Sequence, residues 1–171
     1  MSLRGKHVLV LAEAEFEDIE LWYPLLRLKE EGARVSVVGN KEEYMGKKGM
    51  PVKVDAKPED LNISKVDGVI VPGGWAPDRL RRQENILKLV KDLYNDKKLV
   101  ATICHGGWVL ISADIVSGHQ MTSFAAIKDD LKNGGADFVD EEVVVDYNII
   151  SSRTPADLPA FMREIIKFLE K

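Results

Sequence analysis

Residues 98–112 read KLVATICHGGWVLIS and hold an apolar run, the only cysteine of the chain and two adjacent glycines. The run over Leu99–Ile103 is rich in β-branched residues and too short for a helix, so it predicts a buried strand. The segment from Gly106 to Ala113 predicts the start of a helix. Cys104 therefore lies on a strand-to-helix turn, which presents a side chain at the carboxyl end of a parallel sheet.

The Cys104 thiol is the first candidate for chemistry. It faces the N-terminal end of the predicted helix, where unpaired N–H groups and the helix dipole favour an anion. We therefore expect a lowered thiol pKa and a partly ionised side chain near neutral pH. His105 follows directly and could orient the thiol or serve as base and acid. The alternative interpretation is a buried structural cysteine, because free cysteine is among the most buried residue types.

Length and composition restrict the class of protein. The 171 residues suffice for one domain with a sizeable core, and we expect a single domain over residues 1–171. A formal net charge of -4 argues against a general nucleic-acid-binding protein. No apolar run approaches the ~20 residues that span a bilayer, and the N-terminal residues show no signal-peptide pattern. A lone cysteine cannot form an intrachain disulfide, so we expect a cytoplasmic protein without nucleic-acid or membrane partners.

The rest of the chain alternates strands with helices. Apolar runs predict strands at His7–Ala12, Arg34–Gly39 and Val66–Pro72, and a hairpin over residues 142–152. Helices are predicted up to Glu31, over about Arg79–Asn95, over Ala125–Asn133 and after an N-cap at Thr154. This alternation predicts an α/β fold with a mostly parallel, doubly wound sheet.

Two segments carry more detailed expectations. In the first helix, the apolar spacing predicts an inward face of Ile19, Trp22, Leu25 and Leu26, and Pro24 predicts a kink or interruption. The polar, glycine-containing stretch over residues 41–60 predicts a hairpin-like excursion at a sheet edge.

The carboxyl ends of three predicted strands carry candidate site residues. The first strand is followed by an acidic loop with Glu15 and Glu17, the third by Gly73–Gly74 and the fourth by Cys104. Such strand ends meet at one edge of a parallel sheet. A loop carboxylate could then lie against the thiol, and the N–H groups of Gly74 and His105 could form an oxyanion hole. Alternatively, the acids only begin a helix and the glycines only make a tight turn.

Metal and cofactor sites are not indicated. The chain has no His-x-x-His or Cys-x-x-Cys pair, so we expect no metal. Its glycine-rich loop matches neither G-x-G-x-x-G nor the Walker A pattern, so we expect no nucleotide cofactor. His7 and His119 are interpreted as structural, because neither has a partner in the nearby sequence.

The joint pattern resembles the PfpI family of intracellular cysteine peptidases, within the ThiJ/PfpI superfamily. The resemblance is carried by ATICHG around Cys104 and VIVPGGWAPDR around Gly74. It continues through EFED at 15–18, YP at 23–24, IKDD at 127–130, VVVD at 143–146 and SSRTPADL at 151–158. The resemblance covers nearly the whole chain and implies a flavodoxin-like three-layer sandwich with the cysteine on a strained nucleophile elbow.

The resemblance also implies roles for particular residues. Cys104 would be the nucleophile, and Glu17 would be hydrogen-bonded to its sulfur. His105 would pair with an acid from a neighbouring subunit, and the loop after Pro-Gly-Gly gives that role to Asp78. The site would then be complete only in a homo-oligomer, either a dimer or a ring of dimers such as a hexamer.

Three positions depart from the family's usual pattern. Asp78 stands where Glu is more frequent, Trp75 where Arg often follows Pro-Gly-Gly, and Gly107 where Pro is common. The acid at position 78 is therefore one methylene shorter. Trp75 and Trp108 indicate an apolar or narrowed pocket or a subunit interface, unless both simply pack.

The implied function is a cysteine hydrolase acting on a peptide or a small carbonyl substrate. Peptide cleavage and glyoxalase or deglycase chemistry on methylglyoxal adducts both use one thiolate, and the sequence does not separate them. The alternative is a non-proteolytic stress-response protein whose cysteine senses oxidation. A glutamine amidotransferase would need a late His-x-Glu, but His119 is followed by Gln120 and Met121.

Overall fold

Six strands form the central sheet of the computed structural model, which describes residues 2–171. The strands of the chain are β1 (His7–Leu11), β2 (Arg34–Val38), β3 (Glu43–Met45), β4 (Pro51–Lys53), β5 (Gly68–Val71), β6 (Leu99–Ile103), β7 (Gln120–Met121), β8 (Asp137–Phe138), β9 (Val143–Asp146) and β10 (Ile149–Ser152). The helices are α1 (Asp18–Glu30), α2 (Ala76–Leu80), α3 (Glu84–Asn95), α4 (Gly107–Ser112), α5 (Lys128–Asn133) and α6 (Leu158–Leu169).

The order of strands across the sheet is β2-β1-β5-β6-β10-β9. The first five are parallel, and β9 pairs antiparallel with β10 at the edge. Counted along the chain, the parallel strands have the order 2-1-3-4-5, which is the flavodoxin order. This confirms the predicted α/β class and the mostly parallel sheet.

Helices cover both faces of the sheet and produce three layers. α1 and α6 contact each other and strands of the sheet, while α3 packs on β5, β6 and α4. Every residue of β1, β5, β6 and β10 is buried, because helices lie on both sides of these strands. No helix within residues 2–171 is long and apolar enough to cross a membrane.

The first helix differs from its prediction in two respects. α1 runs through Pro24 without interruption, and its fully buried aliphatic side chains are Leu21 and Leu28. Ile19 and Leu26 were expected inside but are 50% and 57% exposed. The apolar residues of this segment fit two helical stripes, and packing on the sheet selects the one centred on Leu21 and Leu28.

The predicted helix over 79–95 is two helices in the structure. α2 ends at Leu80, and Gln83 has an extended backbone before α3 begins. The Gln83 side chain donates a hydrogen bond of 2.7 Å to the buried Glu13 carboxylate. This contact ties the break to the carboxyl end of β1.

The excursion after β2 is a separate hairpin. β3 and β4 pair with each other and not with the central sheet. Asp18, at the start of α1, accepts hydrogen bonds from the N–H groups of Lys48 (2.7 Å) and Met50 (2.9 Å) at the hairpin tip. The hairpin tip is thereby held beside the carboxyl ends of the strands.

We predict that truncation at Leu28 and at Leu26 of α1 distinguishes the two stripes. Leu28→Ala should lower the free energy of unfolding by about 2–5 kcal/mol, because it leaves a cavity in the core. Leu26→Ala, the matched control on the same helix, should change it by less than ~0.5 kcal/mol. Urea denaturation of both variants measures the difference, and similar losses at the two positions would contradict the orientation of α1.

Candidate active site

Cys104 occupies a strained turn at the carboxyl end of β6. Its φ is +60°, in the left-handed region that residues other than glycine rarely adopt. Such a conformation costs of order 1–3 kcal/mol and persists only where the surrounding structure enforces it. A short 3-10 turn over Cys104–Gly106 then leads into α4. The structure therefore confirms the predicted elbow, and the cysteine is partly exposed.

Two glycines make room for the elbow. A Cβ on Gly106 would lie 2.3 Å from Thr102 Oγ1, and a Cβ on Gly73 would lie 2.6 Å from Cys104 Cβ. The second position also borders the carboxyl oxygen Oε2 of Glu20, again at 2.6 Å. Because position 73 has no side chain, the Gly73 backbone, the Cys104 thiol and the Glu20 carboxyl can lie close together. Any side chain at this position would separate them.

Glu20 is the carboxylate that lies beside the sulfur. It belongs to the first turn of α1 and is 0% exposed. Its Oε2 accepts a hydrogen bond of 2.8 Å from the Gly73 N–H. Its Oε1 has no well-formed hydrogen bond within residues 2–171, and the thiol of Cys104 is the neighbouring group that interacts with this carboxyl.

Glu17, which the resemblance implied as the partner of the sulfur, lies elsewhere. It precedes the first residue of α1, and its Oε2 is 3.7 Å from the Lys47 ammonium at the hairpin tip. Its charge still reaches the site, because it raises the pKa of both Glu20 and Cys104. The expected hydrogen bond is therefore corrected from Glu17 to Glu20, one helical turn further into the core.

The carboxyl of Glu20 is difficult to ionise. Burial raises its pKa to about 7, and the hydrogen bond from Gly73 acts in the opposite direction. A buried carboxylate with one backbone donor is poorly compensated, so the group holds its proton up to near neutral pH.

The prediction of a lowered thiol pKa is wrong for Cys104 beside a charged Glu20. Burial, followed by the negative charge of Glu20, raises the pKa of Cys104 to about 12. The N–H groups of Gly74 and His105 interact with the sulfur and act in the opposite direction. The backbone N–H groups of the turn do favour the thiolate, but burial and the negative charge of Glu20 outweigh them.

Glu20 and Cys104 consequently titrate as one pair. Two acids in contact resist carrying two charges, so the first proton leaves near neutral pH and the second only at alkaline pH. The single charge of the pair can reside on the carboxylate or, with the proton on Glu20, on the sulfur. The N–H groups of Gly74 and His105 favour the thiolate form. Their predicted role as an oxyanion hole stays a prediction.

His105 lies beside the thiol in an aromatic environment. Its Nδ1 is 3.2 Å from the Cys104 sulfur. Its ring packs against Trp75, Trp108 and Phe124 at centroid distances of 5.6, 5.1 and 5.2 Å. Burial and the Lys47 ammonium lower the pKa of His105, so its ring is neutral at pH 7 and can accept a proton. Three aromatic rings, two of them tryptophans, therefore surround the histidine, and the role of the tryptophans beyond this packing stays a prediction.

Asp78 does not reach His105 within one chain. Its carboxylate pairs with Arg82 at 3.0 Å, one turn along the same exposed surface. Within residues 2–171, no carboxylate contacts the ring of His105. The expected acid partner of His105 is therefore not supplied by the chain that carries the histidine.

The other candidates from the sequence, Glu15, His7 and His119, contact residues other than Cys104. Glu15 pairs with Arg79 at the rim of the site. His7 Nε2 lies 2.9 Å from Ser36 Oγ, and His119 lies between Tyr94 and Asp146, far from Cys104 in the fold. Lys47 was not singled out from the sequence, because only the hairpin brings it over Trp75, 5.8 Å from the ring centroid.

The geometry defines a class of protein: a flavodoxin-like α/β protein with a cysteine nucleophile elbow, a buried carboxyl partner and an adjacent histidine. A family model described as DJ-1/PfpI family matches residues 6–168. The chain belongs to the DJ-1/PfpI family.

Individual relatives agree with this assignment. The chain is 45% identical over 164 residues to the protein named deglycase PfpI from Pyrococcus furiosus, covering 95% of this chain and 99% of that one. It is 40% identical over 168 residues to YraA of Bacillus subtilis, whose name assigns it provisionally to the cysteine proteases, covering 97% and 99%.

A solved structure shows the same fold. A two-domain protein from Anabaena variabilis, with DJ-1/ThiJ/PfpI-like and ferritin-like domains, superposes with a TM-score of 0.94 at 42% identity. The match covers 96% of this chain and 48% of that chain, so this chain spans about half of the two-domain protein.

We predict that Glu20 controls the pH profile of thiol reactivity. In the native protein, the rate of Cys104 alkylation should rise with a midpoint near pH 7, where the pair loses its first proton. Glu20→Gln cannot accept the thiol proton, while burial still raises the thiol pKa, so the midpoint should move above the usual thiol value of ~8.5. Iodoacetamide kinetics between pH 5 and about 10 measure the shift.

The matched control for this experiment is Glu17→Gln, one turn earlier on the same helix. It removes a charge near the site but leaves the buried carboxyl in place. Its midpoint should move to lower pH, because the Glu17 charge raises the pKa of both acids. An unchanged profile in Glu20→Gln would contradict the coupling of Glu20 to Cys104.

Proposed function

We propose that the chain is a Cys104-dependent deglycase, a hydrolase that removes methylglyoxal adducts from thiols or amines. The observation that carries the proposal is the contact between a strained, partly exposed cysteine and a protonatable buried carboxyl. Because Glu20 can take the proton of Cys104, the pair can present a thiolate at neutral pH without a second net charge. The similarity to a protein named deglycase supports the same reaction class.

The chemistry follows from three groups. The Cys104 thiolate bonds to the aldehyde-derived carbon of the adduct, and the thiol or amine leaves with a proton supplied by Glu20 or His105. Neutral His105 then takes the proton from that carbon, and its return to the neighbouring carbon through an enediol gives a lactoyl thioester. Water hydrolyses the thioester to lactate and restores the thiol, so the net reaction consumes one water and no external oxidant.

Deglycase chemistry suits the pocket better than general peptide cleavage. The rings of Trp75, Trp108 and Phe124 surround His105, so an approach to the sulfur from the histidine side passes along aromatic surface. A three-carbon adduct fits such an approach, whereas an extended peptide backbone needs an open groove on both sides of the nucleophile. Slow peptide cleavage remains the second activity to assay, because both reactions use the same thiolate.

The proposal includes a homo-oligomer in which Asp78 of one chain pairs with His105 of another. Asp78 lies on the exposed α2 surface, and His105 has no acidic partner from its own chain within residues 2–171. An exposed Trp75, 48% accessible, adjoins α2 and would be covered by such a contact. We also propose a cytoplasmic location, where a catalytic thiol stays reduced.

Oligomers that combine two variant chains test both the deglycase reaction and the site shared between subunits. We predict that Cys104→Ser abolishes lactate release from a methylglyoxal-treated thiol and that Asp78→Ala lowers it about tenfold. The expected loss is smaller than the ~10²–10⁴-fold of a direct acid-base catalyst, because Asp78 would act only through His105. Unfolding and refolding the two variants together should restore part of the activity. A mixed oligomer contains sites with intact Cys104 and His105 on one chain and intact Asp78 on the other.

The controls identify which part fails. The two variants refolded separately should stay as inactive as before. Full activity in Cys104→Ser would refute the deglycase proposal, whereas a lack of recovery in the mixture would refute only the shared site. Size-exclusion chromatography of the native protein must show more than a monomer.

Oxidation sensing is the second candidate function. It is favoured by one observation: protonated Glu20 can donate a hydrogen bond to an oxygen added to Cys104. Mass spectrometry after mild peroxide should then show two added oxygens on Cys104, and Glu20→Gln should lower the yield. Absence of any added oxygen at Cys104 would refute the sensor.

A further inference from the structure

A basic groove opens beside the site of Cys104. It has a volume of about 520 Å³ and is lined by residues that include Phe124, Lys128, Lys132, Phe138, Asp140 and Arg153. We refer to the cavity bounded by these six residues as the basic groove. None of its charged residues takes part in the chemistry described above.

The basic groove borders the surroundings of Cys104 through one residue, Phe124. Phe124 lines the groove, and its ring lies 5.2 Å from the ring of His105. Its backbone N–H also donates a hydrogen bond of 3.3 Å to the carbonyl oxygen of Cys104. A substrate bonded to the sulfur would enter the groove by passing the ring of Phe124.

Two ammonium groups of the groove are uncompensated. Lys128 and Lys132 are exposed, and neither has a carboxylate within 4.0 Å among residues 2–171. They lie four residues apart on α5, where like charges repel each other. Asp129 and Asp130 stand on the same helix but do not line the groove, whose lining has three cations and the carboxylate of Asp140. The lining is therefore net positive, and a bound anion would reduce the repulsion between its cations.

The arginine of the groove, in contrast, is already neutralised. Arg153 donates to Asp157 at 2.9 and 3.1 Å and to Asp140 at 2.8 Å. Its planar fork, the group best suited to phosphate, is therefore occupied by carboxylates. The ammonium groups of Lys128 and Lys132 are then the cations left to bind a ligand. Two such point charges suit a single carboxylate.

The aromatic rings of the groove also argue against a nucleic acid. Bases bind single-strand sites by stacking on open aromatic faces. Phe138 carries the Lys132 ammonium 5.9 Å from its centroid, and Phe124 packs on His105. The groove thus favours a peptide segment over a nucleic acid.

We propose that the basic groove is a substrate subsite that selects adducts on acidic peptide segments, with Lys128 and Lys132 binding a carboxylate near the modified residue. The inference rests on the proposed deglycase function and adds the class of substrate. Lys128 and Lys132 are specificity residues and do not touch the reacting atoms.

The test uses two acetylated, amidated tripeptides, Cys-Gly-Glu and Cys-Gly-Gln, each treated with methylglyoxal. They are nearly isosteric and differ in one carboxylate. The native protein should release lactate from the Glu peptide with a kcat/KM about three- to tenfold higher, mainly through KM, because each partly exposed ion pair contributes modestly. The preference should shrink as salt is raised.

Variants locate the source of the preference. Lys128→Gln/Lys132→Gln should bring the ratio of the two kcat/KM values close to one, and Lys132→Glu should reverse it. Lys167→Gln, on α6 and paired with Glu164, is the matched control and should keep the native ratio. All three positions carry exposed side chains, and circular dichroism verifies that each variant is folded.

The outcomes separate the two proposals. A native ratio near one, or a ratio unchanged in Lys128→Gln/Lys132→Gln, overturns the subsite while leaving the deglycase intact. If neither peptide is turned over, or if Cys104→Ser turns over both, the deglycase proposal itself fails. If the double variant loses activity only on a methylglyoxal-treated oligonucleotide, the groove binds nucleic acid and the peptide assignment is overturned.

Discussion

The contact between the buried carboxyl of Glu20 and the thiol of Cys104 is the constraint on which the site depends. A carboxyl with no exposure and one backbone donor is unstable as an isolated anion. With the Cys104 thiol beside it, the Glu20 carboxyl need not be an isolated anion, because the two acids can share one charge and one proton. The buried acid is thus a built-in proton acceptor for the nucleophile, and its cost in stability is part of the catalytic design.

Several features of the fold exist to bring these two groups together. The left-handed turn at Cys104 aims the sulfur toward the start of α1, and the absence of a side chain at Gly73 leaves the two groups in contact. Because β1 and β6 run parallel, the segments that follow them, with Glu20 and Cys104, lie at the same edge of the sheet. The β3–β4 hairpin adds Lys47, whose charge lowers the pKa of both His105 and Glu20. The residues of the site therefore come from four separate segments of the chain: the start of α1, the loop at Gly73, the turn of Cys104 and His105, and the hairpin tip at Lys47.

The choice between Glu17 and Glu20 shows the limit of pattern reasoning. The two residues are three apart, so they lie on neighbouring positions of one helical face. Reading the inward stripe through Ile19 and Leu26 turns Glu20 away from the core, whereas the observed stripe through Leu21 and Leu28 turns it inward. A rotation of the stripe by about one residue decides which carboxyl meets the sulfur. The wrong expectation for the thiol pKa has a related cause: an acid was expected against the sulfur, but the burial of that acid and of the thiol, which raises the thiol pKa, follows only from the packing.

The sequence by itself determined the α/β class with a mostly parallel sheet, the turn at Cys104 and the place of His105 directly after it, because these depend on local apolar runs and adjacent residues. It also identified Gly73–Gly74 as part of the site, since glycines at a strand end permit close approach of backbone. Only the tertiary structure decided that Glu20 meets the thiol, that Lys47 and the aromatic rings enclose His105, and that Asp78 points away from its own site. These contacts join segments distant in the chain, and their geometry is set by how the helices pack on the sheet, which no local pattern encodes.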